Sequence, residues 1–263
     1  MDLDLEGNSA LVTASSSGLG KASAMALAQQ GVDVVINGRD PDKLAESAAE
    51  IRKTAKGRIV EQPGDITNGD DIVTLVERAV AEFEGLDHLV TSAGGPASGP
   101  FLETTDDDWY QAFDLLVMSV VRLIREAAPH LRADDGGTFV AITSISVKEA
   151  VDSLVLSNAV RMAVIGLEKT LSKELSPKIR ANAVLPGAHE TSRIHNLIEQ
   201  SVERGDVEDY EAGLAEWGKD IPGRGIGDPM ELGEVVAFLS SPYASYINGV
   251  TLPIDGGASA SSL

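Results

Sequence analysis

One stretch of the sequence, residues 142–166, carries several side chains that can take part in chemistry. It runs ITSISVKEAVDSLVLSNAVRMAVIG and contains Ser144, Lys148, Glu149, Ser157 and Arg161. A serine hydroxyl is a poor proton donor near neutrality, and an arginine does not release its proton. A guanidinium nevertheless donates hydrogen bonds and stabilises negative charge that develops on a nearby oxygen. The stretch therefore predicts an anion-stabilising site, in which Arg161 is the strongest candidate and any proton comes from another group.

Three residues are candidates for the group that supplies the proton. Lys148 and Glu149 follow Ser144 in a loop, and His189 has an imidazole that titrates near neutrality. Each has a simpler alternative, a solvated loop pair for the first two and a surface or lid position for the histidine. Ser157 has the alternative of a small residue that only makes room for a substrate. The remaining histidines lack ligand spacing and cysteine is absent, so no metal site is expected.

A glycine-rich turn near the start of the chain predicts a phosphate-binding site. Residues 13–24, TASSSGLGKASA, take a strand pattern directly into a turn and then into a helix. Gly18 and Gly20 let the backbone approach a pyrophosphate, and the free N–H groups of the helix favour its negative charge. The hydroxyls that could add donors belong to Ser15, Ser16 and Ser17.

The end of the second strand, INGRD, bears on which dinucleotide the glycine-rich turn would bind. NAD-binding proteins usually place a carboxylate here to hold the ribose 2′-hydroxyl, and Gly38 leaves that place empty. Arg39 can grip a 2′-phosphate. Asp40 argues against a phosphate, but with Pro41 after it this residue is expected to cap the next helix. NADP(H) is therefore favoured, with NAD(H) as the alternative.

The elements that must position these residues alternate along the chain. Seven β-branched runs alternate with six or so helical patterns, and the connections between them are short. This order predicts an α/β fold, a doubly wound, seven-stranded parallel sheet of the Rossmann type with helices on both faces. A long helix is expected from about Asp106 to Leu131, and one domain is expected to span residues 1–263.

Composition and charge argue against several classes of protein. The 263 residues include 41 acidic and 21 basic ones, a net charge of −20, so binding to nucleic-acid phosphates is not expected. The apolar runs are too short for a membrane span, and the start lacks the features of a signal peptide, so a cytoplasmic location is expected. The acidic excess is typical either of the acidic proteome of a halophile, where salt screens self-repulsion, or of an ordinary acidic bacterial protein.

Five motifs in order resemble those of the short-chain dehydrogenase/reductase family, over almost the whole chain. The glycine turn is similar to the family's T-G-x-x-x-G-x-G, with Ala14 in place of the first glycine, and GDIT, TSAGG, NAVLPGAHET and the C-terminal segment follow. The resemblance implies a substrate lid at about 190–225. It also implies a cofactor site formed by Thr13, Ser15, Ser16, Ser17, Gly18, Leu19, Gly20, Arg39, Asp65, Ile66, Ser92, Ala93, Gly94, Arg161, Pro186, Gly187 and Thr191.

The same resemblance indicates which catalytic positions have changed. Members of the family use a serine, a Tyr-x-x-x-Lys pair on one helix face and an asparagine, and the tyrosine handles the substrate proton. Ser144 matches the serine, but Ser157 stands at the tyrosine position, Arg161 at the lysine position and Leu116 at the asparagine position. No tyrosine of this chain has a lysine four residues later. The family's proton relay is therefore expected to be missing.

These inferences predict an NADP(H)-dependent oxidoreductase that interconverts a carbonyl and an alcohol on a small molecule. The sequence is similar to those described as 3-oxoacyl-carrier-protein reductase-like, but an acidic carrier protein would be repelled by the net charge of −20. Two alternatives remain. One is a non-redox enzyme of the dehydratase or epimerase type with Lys148 or Glu149 as base, and the other is a non-catalytic NADP(H)-binding scaffold or sensor. The resemblance also implies a homotetramer or homodimer.

Overall fold

The computed structural model describes residues 1–131, 137–223 and 225–261. The strands are Ser9–Val12 (β1), Asp33–Gly38 (β2), Ile59–Pro63 (β3), His88–Thr91 (β4), Gly137–Ile142 (β5), Ile179–Pro186 (β6) and Thr251–Ile254 (β7). The α-helices are Gly18–Gln29 (α1), Pro41–Arg52 (α2), Gly69–Phe83 (α3), Asp106–Phe113 (α4), Ser119–Ala127 (α5), Val155–Glu174 (α6), Ser192–Glu203 (α7), Tyr210–Gly218 (α8) and Pro229–Ser240 (α9).

The seven strands form one sheet in the order β3-β2-β1-β4-β5-β6-β7, and each neighbouring pair is parallel. The predicted doubly wound, seven-stranded sheet is confirmed. The chain runs outward from β1 to β3 on one side and from β4 to β7 on the other. The point where this direction reverses leaves a crevice at the carboxyl ends of β1 and β4, where sheets of this kind bind ligands.

Helices cover both faces of the sheet because each face is a continuous apolar surface. On one face Leu27 of α1 and Leu232 of α9 are fully buried against the strands. On the other face Leu75 of α3 and Leu123 of α5 are fully buried, together with the apolar side of α6. Burying such side chains is the main favourable contribution to folding, and it fixes the strand ends that form the crevice.

The helix after β2 begins as its sequence predicts. Asp40 accepts hydrogen bonds from the backbone N–H groups of Asp42 at 3.0 Å and Lys43 at 3.2 Å, and Pro41 occupies the first helical position. The carboxylate of Asp40 therefore satisfies the free donors of α2. This confirms the capping role that the sequence favoured over an interaction with a cofactor.

The long helix expected from about Asp106 to Leu131 is present but not uniform. A turn of π-helix, Asp114–Met118, separates α4 from α5. Leu116 lies in this wide turn and is buried. Turns of this kind are frequent at functional sites because they locally change which side chains face inward.

Two short helices, α7 and α8, occupy the segment predicted as a substrate lid. They pack closely, since a Cβ atom added at Gly213 would lie 2.5 Å from Cγ2 of Ile198. None of the helices in the described part of the chain combines the length and the apolar character that a membrane span needs.

Candidate active site

A cleft of about 480 Å³ opens at the carboxyl ends of the central strands. It extends from the turn after β2 to the start of α7. Most of the predicted cofactor residues line it, namely Ser16, Ser17, Gly18, Leu19, Gly20, Arg39, Asp65, Ile66, Ser92, Ala93, Gly94, Arg161 and Thr191. The structure therefore brings together residues that are up to 175 positions apart in the chain, from Ser16 to Thr191.

The glycine turn forms one wall of this cleft. A Cβ atom at Gly20 would lie 2.5 Å from the carbonyl oxygen of Ala14, so only glycine lets α1 approach the turn this closely. Ser17 precedes α1 without a side-chain hydrogen bond to the first turn, so its hydroxyl does not occupy the N–H groups there. Those donors and the helix dipole suit a pyrophosphate.

Ala14 has a positive φ of 47°. It stands where the family has a glycine, and the sequence indicated a cost if that position needs a left-handed backbone. A left-handed conformation costs a residue with a Cβ atom about 1–2 kcal/mol. Ala14, which departs from the family motif, therefore has a strained backbone conformation in the lining of the cleft.

The prediction that Ser15 offers its hydroxyl to a cofactor does not match the structure. Ser15 is fully buried, its Oγ donates to the Val12 carbonyl at 2.8 Å, and it accepts from the Asn37 backbone N–H at 2.9 Å. The hydroxyl is used to join the turn after β1 to β2. Ser16 and Ser17 are the serines of this turn that line the cleft.

The end of β2 has no room for a carboxylate. A Cβ atom at Gly38 would lie 2.9 Å from both Cβ and Oγ of Ser16. The exposed Arg39 lines the cleft immediately beyond. This arrangement presents a cation and a hydroxyl at the position where NAD-binding proteins hold the ribose with an acid.

Asp65 lines the same end of the cleft with its carboxylate held locally. Its Oδ1 accepts from the backbone N–H of Thr67 at 2.9 Å and from Thr67 Oγ1 at 2.8 Å. These hydrogen bonds, led by the one from the backbone, lower the pKa of Asp65, and the charge of Arg39 contributes in the same direction. The carboxylate is therefore ionised at neutral pH.

Thr13 lies at the point where β1 and β4 diverge, and it does not line the cleft. Its Oγ1 donates to the Ser92 carbonyl at 2.8 Å and accepts from the Ser92 N–H at 2.9 Å. Ser92 itself does line the cleft. Thr13 thus fixes the backbone on which Ser92 and Ala93 are placed, and the structure does not place it in the cofactor cleft as predicted.

Arg161 borders the opposite end of the cleft and is 8% exposed. Its Nε donates to Ser157 Oγ at 3.2 Å, one helical turn earlier. Ser157 Oγ also lies 3.3 Å from Ser146 Oγ. The predicted pair on one helix face is therefore present, and a third residue that the sequence did not single out, Ser146, is attached to it.

Ser144 caps the short 3₁₀ turn Ile145–Val147, in which Ser146 lies. Its Oγ accepts from the backbone N–H of Ser146 at 3.1 Å, which leaves its hydroxyl hydrogen for another acceptor. Ser144 does not itself line the cleft, but its neighbour Thr143 does. The signal that could have identified Ser146 is its position two residues after Ser144 in this loop.

The structure does not place Lys148 or Glu149 in the lining of the cleft. Glu149 is exposed, and its carboxylate accepts from the backbone N–H of Ala260 at 2.8 Å. It ties the C-terminal segment to the loop after β5. Lys148 lies half-buried on the same loop. The prediction of a proton source at these two residues came from their place after Ser144, and the described lining of the cleft does not include them.

His189 is also outside the cleft. It is 4% exposed, its Nδ1 lies 3.2 Å from the Gly187 carbonyl, and its ring is packed on Gly227, where a Cβ atom would lie 3.0 Å from Cδ2. Burial lowers the pKa of His189, so the imidazole is neutral at pH 7. The interpretation of His189 as a proton source near the cofactor is not supported by this placement.

Pro186 and Gly187 end β6 beside the cleft without lining it. A Cβ atom at Gly187 would lie 2.7 Å from Cβ of Asp255, so the glycine allows β6 and the segment after β7 to pack together. Thr191, four residues further along, does reach the cleft, with its methyl group 3.5 Å from the Cβ position of Gly18.

A second cavity of about 10 Å³ lies behind Arg161 and is bordered by Leu116. Leu116, which the resemblance places at the asparagine position of the family, therefore borders the same small cavity as Arg161. Thr91 borders the same cavity, and its Oγ1 has no hydrogen-bond partner within the described part of the chain. The space is sufficient for one water molecule, which would satisfy this hydroxyl.

The ionisable groups that line the cleft, within residues 1–131, 137–223 and 225–261, are Arg39, Asp65 and Arg161. Asp65 follows β3, which is an edge strand of the sheet, whereas Arg161 is on α6, which connects β5 and β6. The two residues therefore lie toward opposite ends of the cleft. At the Arg161 end, the described lining thus offers the fixed positive charge of the guanidinium together with hydroxyl groups. It contains no side chain that titrates near neutrality. This arrangement can stabilise an anionic oxygen but cannot by itself deliver a proton from an acid of matched pKa.

The glycine turn leads directly into the N-terminus of α1, and it lies in the crevice where the strand order of the parallel sheet reverses. This combination is typical of dinucleotide-binding proteins of the Rossmann type. The chain belongs to the short-chain dehydrogenase/reductase family, since residues 13–259 match the family model described as enoyl-(acyl carrier protein) reductase. It is 30% identical to oxidoreductase UcpA of Escherichia coli (strain K12), over 97% of this chain and 95% of that protein.

Two solved structures show the same likeness in three dimensions. L-sorbose reductase from Gluconobacter frateurii, complexed with NADPH and L-sorbose, has a TM-score of 0.94 and 29% identity, covering 99% of this chain and 100% of that one. A variant of actinorhodin polyketide ketoreductase with NADPH has a TM-score of 0.88 and 26% identity, covering 97% and 98%. Both relatives are reductases that bind NADPH, and the family assignment predicted from the motifs is confirmed.

Proposed function

We propose that this protein is an NADP(H)-dependent oxidoreductase that interconverts a carbonyl and an alcohol on a small molecule. The observation that carries the proposal is one continuous cleft with Arg39 at one end and the buried Arg161 at the other. The close approach of α1 to the turn at Gly20 and the open N-terminus of α1 suit a dinucleotide that lies between the two arginines. NADPH, when bound, supplies a hydride, and the side chains around it orient the substrate.

The choice of NADP(H) over NAD(H) rests on the end of β2. Gly38 excludes a side chain, and Arg39 with Ser16 provides a charge-assisted site for a 2′-phosphate. The two solved relatives described above bind NADPH, which supports the same choice. The residues proposed to hold the rest of the cofactor are the glycine turn, Asp65 and Thr191.

Arg161 is the residue proposed to act on the reacting oxygen. Its guanidinium stays protonated at any working pH and can bind an oxygen on which negative charge accumulates. Ser144 lies next to Thr143 of the lining, its hydroxyl hydrogen has no acceptor within the loop, and we propose that it donates to the same oxygen once a substrate is bound. Lys148 and Glu149 do not line the cleft, and we propose that the proton comes from solvent.

Reduction of a carbon–carbon double bond conjugated to a carbonyl is a second candidate. It is favoured by one observation, the lack of a side chain that titrates near neutrality in the described lining of the cleft. Hydride addition to such a bond gives an enolate, which is a far weaker base than an alkoxide, so a fixed cation stabilises it without an acid in place. The description of the matching family model as an enoyl reductase points the same way.

Cofactor binding and turnover test these proposals in sequence. Fluorescence titration should show NADPH binding more tightly than NADH. Oxidation of NADPH is then followed at its absorbance band with simple ketones and with α,β-unsaturated ketones, and the reverse reaction with alcohols. Oxidation by ketones supports the first proposal and oxidation by enones alone the second. Binding without oxidation by any substrate supports the non-redox enzyme or the scaffold instead, and the lack of NADPH binding refutes all of these.

We also propose a homotetramer or homodimer, formed through α4 and α6. Exposed apolar side chains project from both helices, including Tyr110, Phe113 and Met162, and α6 adds exposed small residues at Ala159 and Ala163. A flat face of this kind on neighbouring helices suits a second copy of the chain. Light scattering measures the state directly, and a monomer at micromolar concentration would refute it.

The net charge of −20 supports the proposal of a high-salt environment. Screening by salt should raise the unfolding free energy between low and molar KCl. A stability maximum in dilute buffer would refute the proposal. The cytoplasmic location and the single domain stay predictions of the sequence.

A further inference from the structure

Three buried polar side chains form a chain of hydrogen bonds beside the cleft. Arg161 Nε donates to Ser157 Oγ at 3.2 Å, and Ser157 Oγ lies 3.3 Å from Ser146 Oγ. The three residues are 8%, 7% and 4% exposed, in that order. Polar groups buried this deeply take a defined geometry because an unsatisfied group is costly.

The direction of the first bond is fixed by chemistry. A guanidinium can only donate, so Ser157 Oγ accepts from Arg161. The other described partner of Ser157 Oγ is Ser146 Oγ, on the loop after β5. A contact with Ser146 Oγ restricts the rotamer of Ser157, and the rotamer sets where the oxygen that accepts from Arg161 Nε lies.

Ser146 is held independently of α6. Its backbone N–H donates to Ser144 Oγ at 3.1 Å, within a short turn that follows directly from β5. The loop after β5 thus holds Ser146, at one end of the chain of hydrogen bonds, and α6 carries Ser157 and Arg161. The guanidinium is consequently positioned relative to the sheet edge, where the cofactor is proposed to lie, and not only by its own helix.

We propose that Ser146 is a positioning residue, which acts through Ser157 to orient the guanidinium of Arg161 toward the cleft. This inference rests on the proposed function for the role of Arg161 itself. It changes the role of Ser157, which stands at the tyrosine position of the family but here orients the cation and does not deliver a proton. Arg161 is then a cation held in position by its own helix and by the loop after β5. This arrangement takes the place of the proton relay of the family.

Replacing Ser146 by threonine and by valine tests the role of its hydroxyl. The two variants have the same shape and add the same bulk, so their difference reports the hydroxyl alone. Ser146→Thr should bind NADPH as the wild type does, whereas Ser146→Val should bind it about fivefold more weakly. Equal affinities of the two variants would overturn the proposal.

Combining each variant with Arg161→Met separates positioning from a general packing effect. If Ser146 acts through Arg161, the difference between threonine and valine should disappear once the guanidinium is absent. A difference that persists undiminished in the Arg161→Met background would show that Ser146 acts by another route.

A measurement without cofactor keeps this inference separate from the proposed function. The Nε–H resonance of Arg161 in nitrogen-15 NMR should be protected from solvent exchange in the wild type and in Ser146→Thr. It should lose protection in Ser146→Val and Ser157→Ala. If the wild type fails to bind NADPH, the proposed function is wrong, while this resonance still decides the role of Ser146. Unchanged protection in both variants would refute it.

Discussion

Arg161 and Ser157 lie one turn apart on α6, and the guanidinium Nε donates to the serine hydroxyl at 3.2 Å. By the resemblance in sequence these positions correspond to the lysine and tyrosine of related enzymes, and in both pairs the cation can only donate its hydrogen bond. What differs is the acidity of the hydroxyl. A lysine lowers the pKa of a neighbouring phenol and so prepares it to give up a proton. Here the hydroxyl is the acceptor and the charged group keeps its proton, so the pair holds a positive charge in place.

The replacement of Arg161 by methionine should abolish most of the activity. Loss of a donor that stabilises a developing oxyanion typically lowers kcat by about 10²–10³-fold. The measurement is steady-state turnover on whichever substrate of the panel oxidises NADPH. The melting temperature is the control, since it shows whether the Arg161→Met variant is folded under the conditions of the assay. Wild-type turnover in Arg161→Met would exclude a role of the guanidinium in catalysis.

The replacement of Arg39 by alanine should affect NADPH and not NADH. A charge-assisted contact to the 2′-phosphate is worth about 1.5–3 kcal/mol, so the Kd for NADPH should rise about 10- to 100-fold. The Kd for NADH should be unchanged. Arg78→Ala is the matched control, because Arg78 is a half-exposed arginine paired with Glu82 on α3, outside the cleft. An equal loss of affinity for both cofactors would contradict a 2′-phosphate site.

The replacement of Ala14 by glycine should stabilise the protein. Ala14 has a φ of 47°, and relief of this left-handed strain should raise the unfolding free energy by about 1 kcal/mol. Urea denaturation measures the change. Ala45→Gly on the exposed side of α2 is the control and should lower stability by about the same amount, because its backbone is helical. Destabilisation by Ala14→Gly would mean that the strain is absent.

Glu168 on α6 should make stability depend on pH. It is fully buried, and neither carboxylate oxygen has a hydrogen-bond partner within the described chain. Burial raises its pKa to about 7, against the smaller opposing effect of Lys169. The folded protein therefore retains a proton that the unfolded chain loses near pH 4.5, so this contribution is complete below pH 4.5 and is lost as the pH rises through 7.

Replacing Glu168 by glutamine should remove this dependence. The unfolding free energy of Glu168→Gln relative to the wild type should increase from pH 5 to pH 8, as measured by urea denaturation at intermediate values. Glu174→Gln, at an exposed position on the same helix, should show a constant difference. A difference for Glu168→Gln that does not change with pH would place the carboxylate in contact with water or a cation.

Much of the fold follows from local sequence signals. Asp40 and Pro41 mark the start of α2 because a cap and a fixed φ act within one turn, and the structure has both. Gly20 was identified from its place in the turn, and its contact with Ala14 arises within the same seven residues. The alternation of strands and helices determines a parallel sheet because connections of that length allow few other arrangements.

The candidate site was predicted in part. The spacing of Ser157 and Arg161 is a property of any helix, so their pairing was accessible from the sequence. The positions of Glu149 and His189 were not. The carboxylate of Glu149 contacts Ala260, 111 residues later in the chain, and the ring of His189 packs on Gly227. Such contacts depend on how two segments that are far apart in the sequence pack against each other in the folded protein.

The sequence by itself predicted a crevice at the carboxyl ends of the strands and, through its resemblance to the family, the presence of Ser157 and Arg161 at the tyrosine and lysine positions. Only the tertiary structure decided that Ser146 is a further partner of the Ser157 hydroxyl, because Ser146 reaches α6 from the loop after β5. Local patterns fix conformations within a turn or a strand. The partners of a buried hydroxyl are fixed by whichever groups the packed elements bring within reach.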